Sequence, residues 1–137
     1  IESDAEVLAF AKKYNDFGTI NWVWDHFPCA LEGKFDYIFC VETLEHVDYG
    51  AQHRFIRAAL DLLAPGGRLM ITTPDEQVAA PPHIGIWTAE YLKYIKGWFG
   101  GNIICYDHFH NDMASEPPYN PRSCGQGSHH RIAMENK

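Results

Sequence analysis

The spacing of hydrophobic residues changes along the chain and predicts alternating helices and strands. A first helix should begin after Ser3, which starts an S-x-x-E capping box, and should close at Gly18. Its expected apolar face consists of Val7, Phe10, Ala11 and Tyr14. The β-branched and aromatic segment 19–24 then predicts a short strand.

The middle of the chain carries the clearest pattern. Residues 35–41 are almost continuously apolar and too few for a helix, which is typical of a buried parallel strand. An amphipathic helix is predicted from about Tyr49 to Leu63, ended by Pro65-Gly66-Gly67, and a strand should follow over 68–73. The apolar face of that helix is expected to contain Phe55, Ile56, Ala59, Leu60 and Leu63.

The last part of the chain predicts one more helix and two strands. Thr88 should cap the helix, and segments 102–106 and 130–135 should form the strands. The apolar face of this helix should contain Tyr91, Leu92 and Ile95. Residues 107–129 are dense in His, Asn, Pro, Gly and Ser, so they predict a long loop. Strands that alternate with helices indicate one α/β domain on a mostly parallel sheet.

Composition narrows the classes of partner. The 137 residues are 46% hydrophobic, which is enough for a packed core, and a net charge of −7 disfavours nucleic-acid binding. No apolar run approaches the roughly 20 residues of a membrane span, so we expect no membrane partner. Four widely spaced cysteines without a C-x-x-C motif favour a reduced, cytoplasmic setting.

Two segments together resemble the second half of class I S-adenosylmethionine-dependent methyltransferases. The first is Phe35-Asp-Tyr-Ile-Phe-Cys-Val-Glu-Thr-Leu-Glu-His-Val47, and the second is Leu62-Leu-Ala-Pro-Gly-Gly-Arg-Leu-Met-Ile-Thr-Thr-Pro74. His83 and Trp87-Thr88 extend the resemblance over nearly the whole chain. The resemblance implies a Rossmann-like, doubly wound sheet with an antiparallel last strand. It also implies methyl transfer from S-adenosylmethionine to an unidentified acceptor, which we expect to be a small molecule.

The resemblance also assigns the adenosine half of the cofactor to four residues. Glu2 stands where the family places an acid that accepts hydrogen bonds from both ribose hydroxyls, although a helix-stabilising charge is the alternative. Asp25 stands where the family bonds the adenine amino group, with an Asx-type turn as the alternative. His26 and Phe27 would then present backbone amides and an apolar surface to the ring.

The methionine half of the cofactor is assigned to Cys40, Val41 and Glu42, of which the first two also suit an ordinary core. Because ligands of doubly wound sheets bind at the carboxyl ends of strands, we expect Glu2, Asp25 and Val41 to converge on one adenosyl pocket.

The sequence does not assign a catalytic residue. Methyl transfer to a nucleophile depends mostly on positioning, and a base is needed only when the acceptor must lose a proton. His46 is a candidate for that base, but a histidine that caps the loop by a backbone hydrogen bond fits equally well. The sequence does not decide between a catalytic and a structural role for the neighbouring Glu45 either.

The histidine-rich loop suggests a metal-binding protein as a competing function. The residues of interest are His108, His110, Asp112, Cys124, His129 and His130. Their spacing matches no established site, so we expect a solvated loop and no metal there. The methyltransferase resemblance implies that this loop emerges on the ligand side of the sheet, where we expect it to cover or select the methyl acceptor.

The family's first strand and its G-x-G-x-G turn are absent from the sequence. We therefore expect an N-terminally incomplete domain over 1–137 that binds the cofactor weakly or not at all by itself. The strand 35–41 should be a sheet edge, either exposed or completed by a second copy of the chain in a homo-oligomer. The alternative function is a non-catalytic Rossmann-like interaction module, or a degenerate cofactor domain.

Overall fold

The computed structural model describes residues 1–15, 18, 20, 21, 23, 25–74, 82–85, 87–110 and 128–137. The chain divides into two compact units, Ile1–Glu32 and Gly33–Lys137. None of the helices in the described residues is long and apolar enough to cross a bilayer.

The first unit contains helix α1, Ala5–Tyr14. Its cap is Asp4, whose carboxylate accepts hydrogen bonds from the backbone N–H groups of Glu6 (2.8 Å) and Val7 (3.1 Å). The prediction that Ser3 is the cap is therefore wrong by one residue. The helix also ends earlier than predicted, at Asn15, whose backbone N–H donates to Ala11 O.

The predicted apolar face of α1 is also wrong. Leu8 is the buried residue of the helix, whereas Val7, Phe10 and Tyr14 are exposed. Helical spacing fixes which side chains share a face, but it does not determine which face is covered.

Backbone hydrogen bonds in the same unit join Glu2 to the segment that carries the predicted strand 19–24. The Glu2 N–H donates to Val23 O (3.0 Å), and the Asp25 N–H donates to Glu2 O (3.1 Å). This alternation is that of a parallel ladder. Residues 19, 22 and 24 of the predicted strand lie outside the described residues.

The second unit is built on a four-stranded sheet whose strands are β1 (Phe35–Val41), β2 (Leu63–Pro74), β3 (Ile103–His110) and β4 (Ser128–Glu135). Their order across the sheet is β1-β2-β4-β3. β1 pairs with β2 in parallel, and β4 is antiparallel to both β2 and β3. Consequently β1, β2 and β3 all run in one direction, and the predicted α/β fold class with an antiparallel last strand is confirmed.

Helices α2 (Tyr49–Asp61) and α3 (Ala89–Phe99) supply the rest of the second unit, close to the predicted positions. Thr88 caps α3 as predicted, since its hydroxyl accepts a hydrogen bond from the Tyr91 N–H (3.1 Å). The fully buried side chains of the unit include Leu44, Ile56, Leu63, Leu69, Ile71, Trp87, Ile95, Phe99, Ile132 and Met134.

The start of β2 differs from the prediction. Pro65-Gly66-Gly67 was expected to end the helix, but the helix ends at Asp61 and β2 already begins at Leu63. The Gly66 N–H donates to Asn136 O (2.9 Å), so a distant segment holds this glycine-containing stretch in the strand. Gly67 is required there because a Cβ would lie 2.9 Å from Phe35 O.

Strand β1 lies at the edge of the sheet, as predicted, and pairs only with β2 among the described residues. The prediction that it is buried is wrong. Tyr37 and Phe39 are 64% and 63% exposed, and Phe35 and Val41 are exposed as well, whereas Cys40 is buried. Alternate side chains of a strand point to opposite faces, so in this strand one face meets the core and the other does not.

The predicted loop 107–129 is wrong at both ends. Residues 107–110 extend β3 and residues 128–129 extend β4, with His108 paired opposite His130. Cross-strand pairing overcomes the weak strand preference of these polar residues. The rest of the predicted loop, 111–127, includes Asp112 and Cys124 and lies outside the described residues.

Candidate functional site

In the first unit, the two acidic residues predicted to hold the adenosine half are brought together. Glu2 and Asp25 share a backbone hydrogen bond. The Glu2 carboxylate accepts the Asp4 N–H (2.8 Å), and the Asp25 carboxylate accepts the His26 N–H (2.7 Å). Asp25 and His26 are exposed, and Phe27 is half-buried. The convergence of these residues with those of the second unit stays a prediction.

In the second unit, Glu42 follows β1 and ties three strands together. Its backbone has φ 47°, a left-handed conformation that non-glycine residues rarely adopt and that occurs often at functional sites. Its N–H donates to Thr72 O (3.1 Å), and its carboxylate accepts the Thr72 hydroxyl (2.8 Å). The other carboxylate oxygen lies 3.3 Å from His129 Nε2 on β4.

Cys40 and Val41 differ sharply in exposure. Cys40 is buried, and desolvation raises the pKa of its thiol to about 12 despite a hydrogen bond from Thr43. The thiol is therefore protonated at neutral pH and is not a nucleophile. Val41 is 55% exposed at the end of the strand, so its side chain is accessible to a ligand.

A short 3₁₀ turn, Leu44–His46, follows and carries the two undecided residues. Glu45 is buried, and burial raises the pKa of its carboxyl group. His46 is exposed, and its Nδ1 lies within hydrogen-bonding distance of Pro82 O (3.3 Å). Its ring also meets the ring of His83 edge to face, with the centroids 4.8 Å apart.

Gln52, on α2, fixes this turn against the segment before α3. Its side-chain amide nitrogen donates to the carbonyl oxygens of Leu44 (2.8 Å), Val47 (3.0 Å) and Gly85 (2.6 Å). Its amide oxygen accepts the indole N–H of Trp87 (2.8 Å). Gln52 and Trp87 are both fully buried. The turn that carries Glu45 and His46 is therefore held by a polar network inside the core.

Sequence reasoning missed Gln52, Gly85 and the role of His83. A signal for Gln52 was present, because it lies one helical turn before Ile56 and so falls on the predicted apolar face of α2. A polar side chain on the apolar face of a helix predicts a buried hydrogen-bond network, because it needs partners inside the core.

Of the histidines in the histidine-rich segment, two have described side chains. His129 lies beside Glu42, and His130 Nδ1 lies 3.1 Å from the hydroxyl of Tyr106. For His108 and His110, which belong to β3, the structure describes the backbone and not the side chains.

The comparisons with solved structures identify the fold. The chain is similar to the N-methyltransferase NodS from Bradyrhizobium japonicum WM9, solved with S-adenosyl-L-homocysteine: TM-score 0.68, 14% identity, 98% of this chain and 64% of that chain covered. It is also similar to TehB from Haemophilus influenzae, with a TM-score of 0.67, 12% identity and coverage of 98% and 48%. The fold is thus the Rossmann-like fold of methyltransferases, and the chain spans less than two thirds of NodS.

Membership of a family follows from a match to a family model. The model describes a methyltransferase domain and matches residues 4–114, which is most of the chain. The chain belongs to this methyltransferase domain family, which confirms the resemblance seen in the sequence. No curated protein matches the chain significantly.

Proposed function

We propose that the chain is a methyltransferase domain that uses S-adenosylmethionine to methylate a small-molecule acceptor. The family match over residues 4–114 is the observation that carries this proposal. It is supported by the carboxyl ends of β1 and β2, where Glu42 and Thr72 form a hydrogen-bonded edge. Ligands of open α/β sheets bind outside the carboxyl ends of the strands.

The adenosine half of the cofactor is assigned to Glu2, Asp25, His26 and Phe27. Glu2 uses Oε1 for the Asp4 N–H. A carboxylate has about four acceptor positions, so Glu2 retains capacity for two neighbouring ribose hydroxyls. Asp25 is exposed and can accept a hydrogen bond from an exocyclic amino group.

The methionine half is assigned to Cys40, Val41 and Glu42. Cys40 contributes packing behind the strand end, because its thiol is buried and protonated. Val41 offers an exposed apolar side chain. Glu42 holds the turn after β1 through its bonds to Thr72.

The sulfonium of bound S-adenosylmethionine supplies both the methyl group and the leaving group. The methyl carbon would bond to the acceptor's lone pair as the carbon–sulfur bond breaks, and S-adenosylhomocysteine would be the leaving group. For this chemistry the protein needs to position the acceptor in line with the methyl group and to exclude water. His46 needs to act as a base only for an acceptor that carries a proton at neutral pH.

Saturation-transfer NMR with S-adenosylhomocysteine tests the cofactor assignment, because it detects weak binding by the chain itself. We expect saturation of the adenine and ribose protons, reduced in Glu2→Gln and in Asp25→Asn. Glu6→Gln is the matched control, since Glu6 is an exposed carboxylate in the first turn of α1. Saturation that is unchanged in both variants, or equal saturation of NAD⁺, contradicts the assignment.

A further inference from the structure

We propose that Glu45, His46 and His83 form a binding site for a divalent first-row transition-metal ion. The carboxylate and the two imidazoles each offer one ligand atom, and these three atoms all lie within 4.8 Å of one another. Two histidines and one carboxylate are a donor set that suits Zn²⁺, Fe²⁺ and Co²⁺. The site is separate from the histidine-rich segment that the sequence suggested.

The separation of Glu45 and His46 is near that of two ligands of one metal ion. Ligand atoms bound to one ion at about 2.1 Å lie roughly 3.0–3.4 Å apart in octahedral or tetrahedral geometry. Glu45 Oε1 and His46 Nε2 are 3.7 Å apart, so this pair needs to close by a few tenths of an ångström. The His46 side chain is exposed and has room for that rotation.

A backbone carbonyl selects the ligating nitrogen of His46. Nδ1 lies 3.3 Å from Pro82 O, and a carbonyl oxygen only accepts hydrogen bonds, so this contact favours the tautomer with its proton on Nδ1. In that tautomer Nε2 presents its lone pair towards Glu45. A hydrogen bond from one ring nitrogen to a carbonyl is the usual way in which proteins orient a metal-binding histidine through the other nitrogen.

The burial of Glu45 supplies independent support. The residue is only 1% exposed. The hydrogen bonds of its carboxylate among the described residues are a long one from the Thr73 hydroxyl (3.4 Å) and one from its own backbone. Buried carboxylates are normally paired or coordinate metals. A cation between Glu45 and His46 would neutralise this carboxylate.

The two segments that carry the trio are already fixed to each other. The backbone N–H groups of Ile84 and Gly85 donate to Glu45 O at 2.8 and 2.9 Å. Gln52 bonds both Leu44 O and Gly85 O, so it fixes the same two segments a second time. The ligands are thus held close by interactions that do not require the metal, which reduces the cost of binding.

Three protein ligands leave at least one coordination position for water or for a ligand oxygen. The 3₁₀ turn follows the carboxyl end of β1, so an ion would lie at the end of the sheet where ligands of this fold class bind. The metal site does not depend on the proposed methyl transfer, and its test uses no activity measurement.

The test is titration of the reduced chain with Co²⁺ alone, followed by calorimetry and visible absorption. We expect one ion per chain, d–d absorption bands without thiolate charge-transfer bands, displacement by Zn²⁺, and no displacement by Mg²⁺ at the same concentration. The double variant His46→Gln, His83→Gln should bind Co²⁺ at least about 100-fold more weakly. His53→Gln is the matched control, since His53 packs against Trp98 and Phe99.

Several results would overturn the proposal: no Co²⁺ binding by the unchanged chain, thiolate bands in its spectrum, or unchanged affinity in a folded double variant. If the double variant fails to fold, NMR of the unchanged chain decides. Co²⁺ below one equivalent should shift or broaden the ring protons of His46 and His83 far more than those of His53, and equal effects on all three reject the site.

Discussion

Replacing Gln52 with methionine tests whether the buried amide network holds the second unit together. Methionine is also unbranched and helix-compatible, but it has no donor for the carbonyl oxygens of Leu44, Val47 and Gly85. It also removes the acceptor of the Trp87 indole N–H. The substitution therefore removes the amide donor of Val47 O and Gly85 O and the acceptor of the indole N–H, whereas Leu44 O keeps its bond from the Val47 N–H. It largely preserves side-chain length.

The size of the effect follows from those groups. The amide nitrogen has two hydrogens for its three carbonyl partners, so two donor hydrogens and one acceptor are lost. Each buried group left unsatisfied costs about 1–3 kcal/mol, and local relaxation lowers the sum, so we expect a loss of about 4 kcal/mol. A domain's whole stability is about 5–15 kcal/mol, so the variant should be marginally folded.

Urea unfolding followed by circular dichroism measures this change. The unfolding free energy falls by about 2 kcal/mol per molar urea, so a loss of about 4 kcal/mol in stability lowers the urea concentration at the unfolding midpoint by about 2 M. Arg54→Met is the matched control, because Arg54 is exposed on the same helix, and it should change stability by less than about 0.5 kcal/mol. A loss below about 1 kcal/mol for Gln52→Met would refute the role assigned to the network.

Two further predictions concern single buried positions. Gly85→Ala should lower the unfolding free energy by about 3 kcal/mol, because the new Cβ would meet Val47 O at 1.8 Å. Gly97→Ala, in α3, is the control: nothing lies within 4 Å of the added Cβ, so it should raise the unfolding free energy by about 0.5–1 kcal/mol. Urea unfolding that gives the same stability for both variants contradicts the close packing around Gly85. Cys40 should react with iodoacetamide at pH 8 about 1,000-fold more slowly in the native chain than in urea. The cause is its pKa of about 12, which exceeds the usual 8.5, so its thiolate fraction is small until the pH approaches 12. Peptide mapping that finds Cys40 labelled as fast as exposed Cys105 would be inconsistent with this burial.

The elements that the sequence predicted well depend on local signals. Strand β1 and the Thr88 cap of α3 were placed correctly, because an apolar run and a capping residue act within a few residues. The cap of α1 was misplaced for the same local reason. Ser3 and Asp4 are neighbours and both suit an N-cap, and only the geometry selects Asp4.

The elements that were predicted poorly depend on distant partners. Gly66 stays in β2 because its N–H bonds to Asn136, seventy residues further along the chain. Residues 107–110 form a strand because β4 pairs with them. Neither contact can be read from local composition, since a ladder between distant segments outweighs the turn preference of glycine or histidine.

The residues of the candidate site were also predicted where the signal is local in the sequence and missed where it depends on a distant segment. The resemblance singled out Glu42 and drew attention to Glu45 and His46, because these residues follow β1 directly in the sequence. It did not connect them with His83, whose ring meets that of His46 where Ile84 and Gly85 bond to Glu45 O.

Gln52 is the residue from which that connection could have been inferred. A fully buried glutamine on the apolar face of a helix needs hydrogen-bond partners inside the core. Loops are a common source of such partners, since most of their carbonyl oxygens are not used by helix or sheet ladders. Gln52 on α2 therefore implied two loops packed at that face, and the loops that follow β1 and precede α3 carry all three proposed metal ligands.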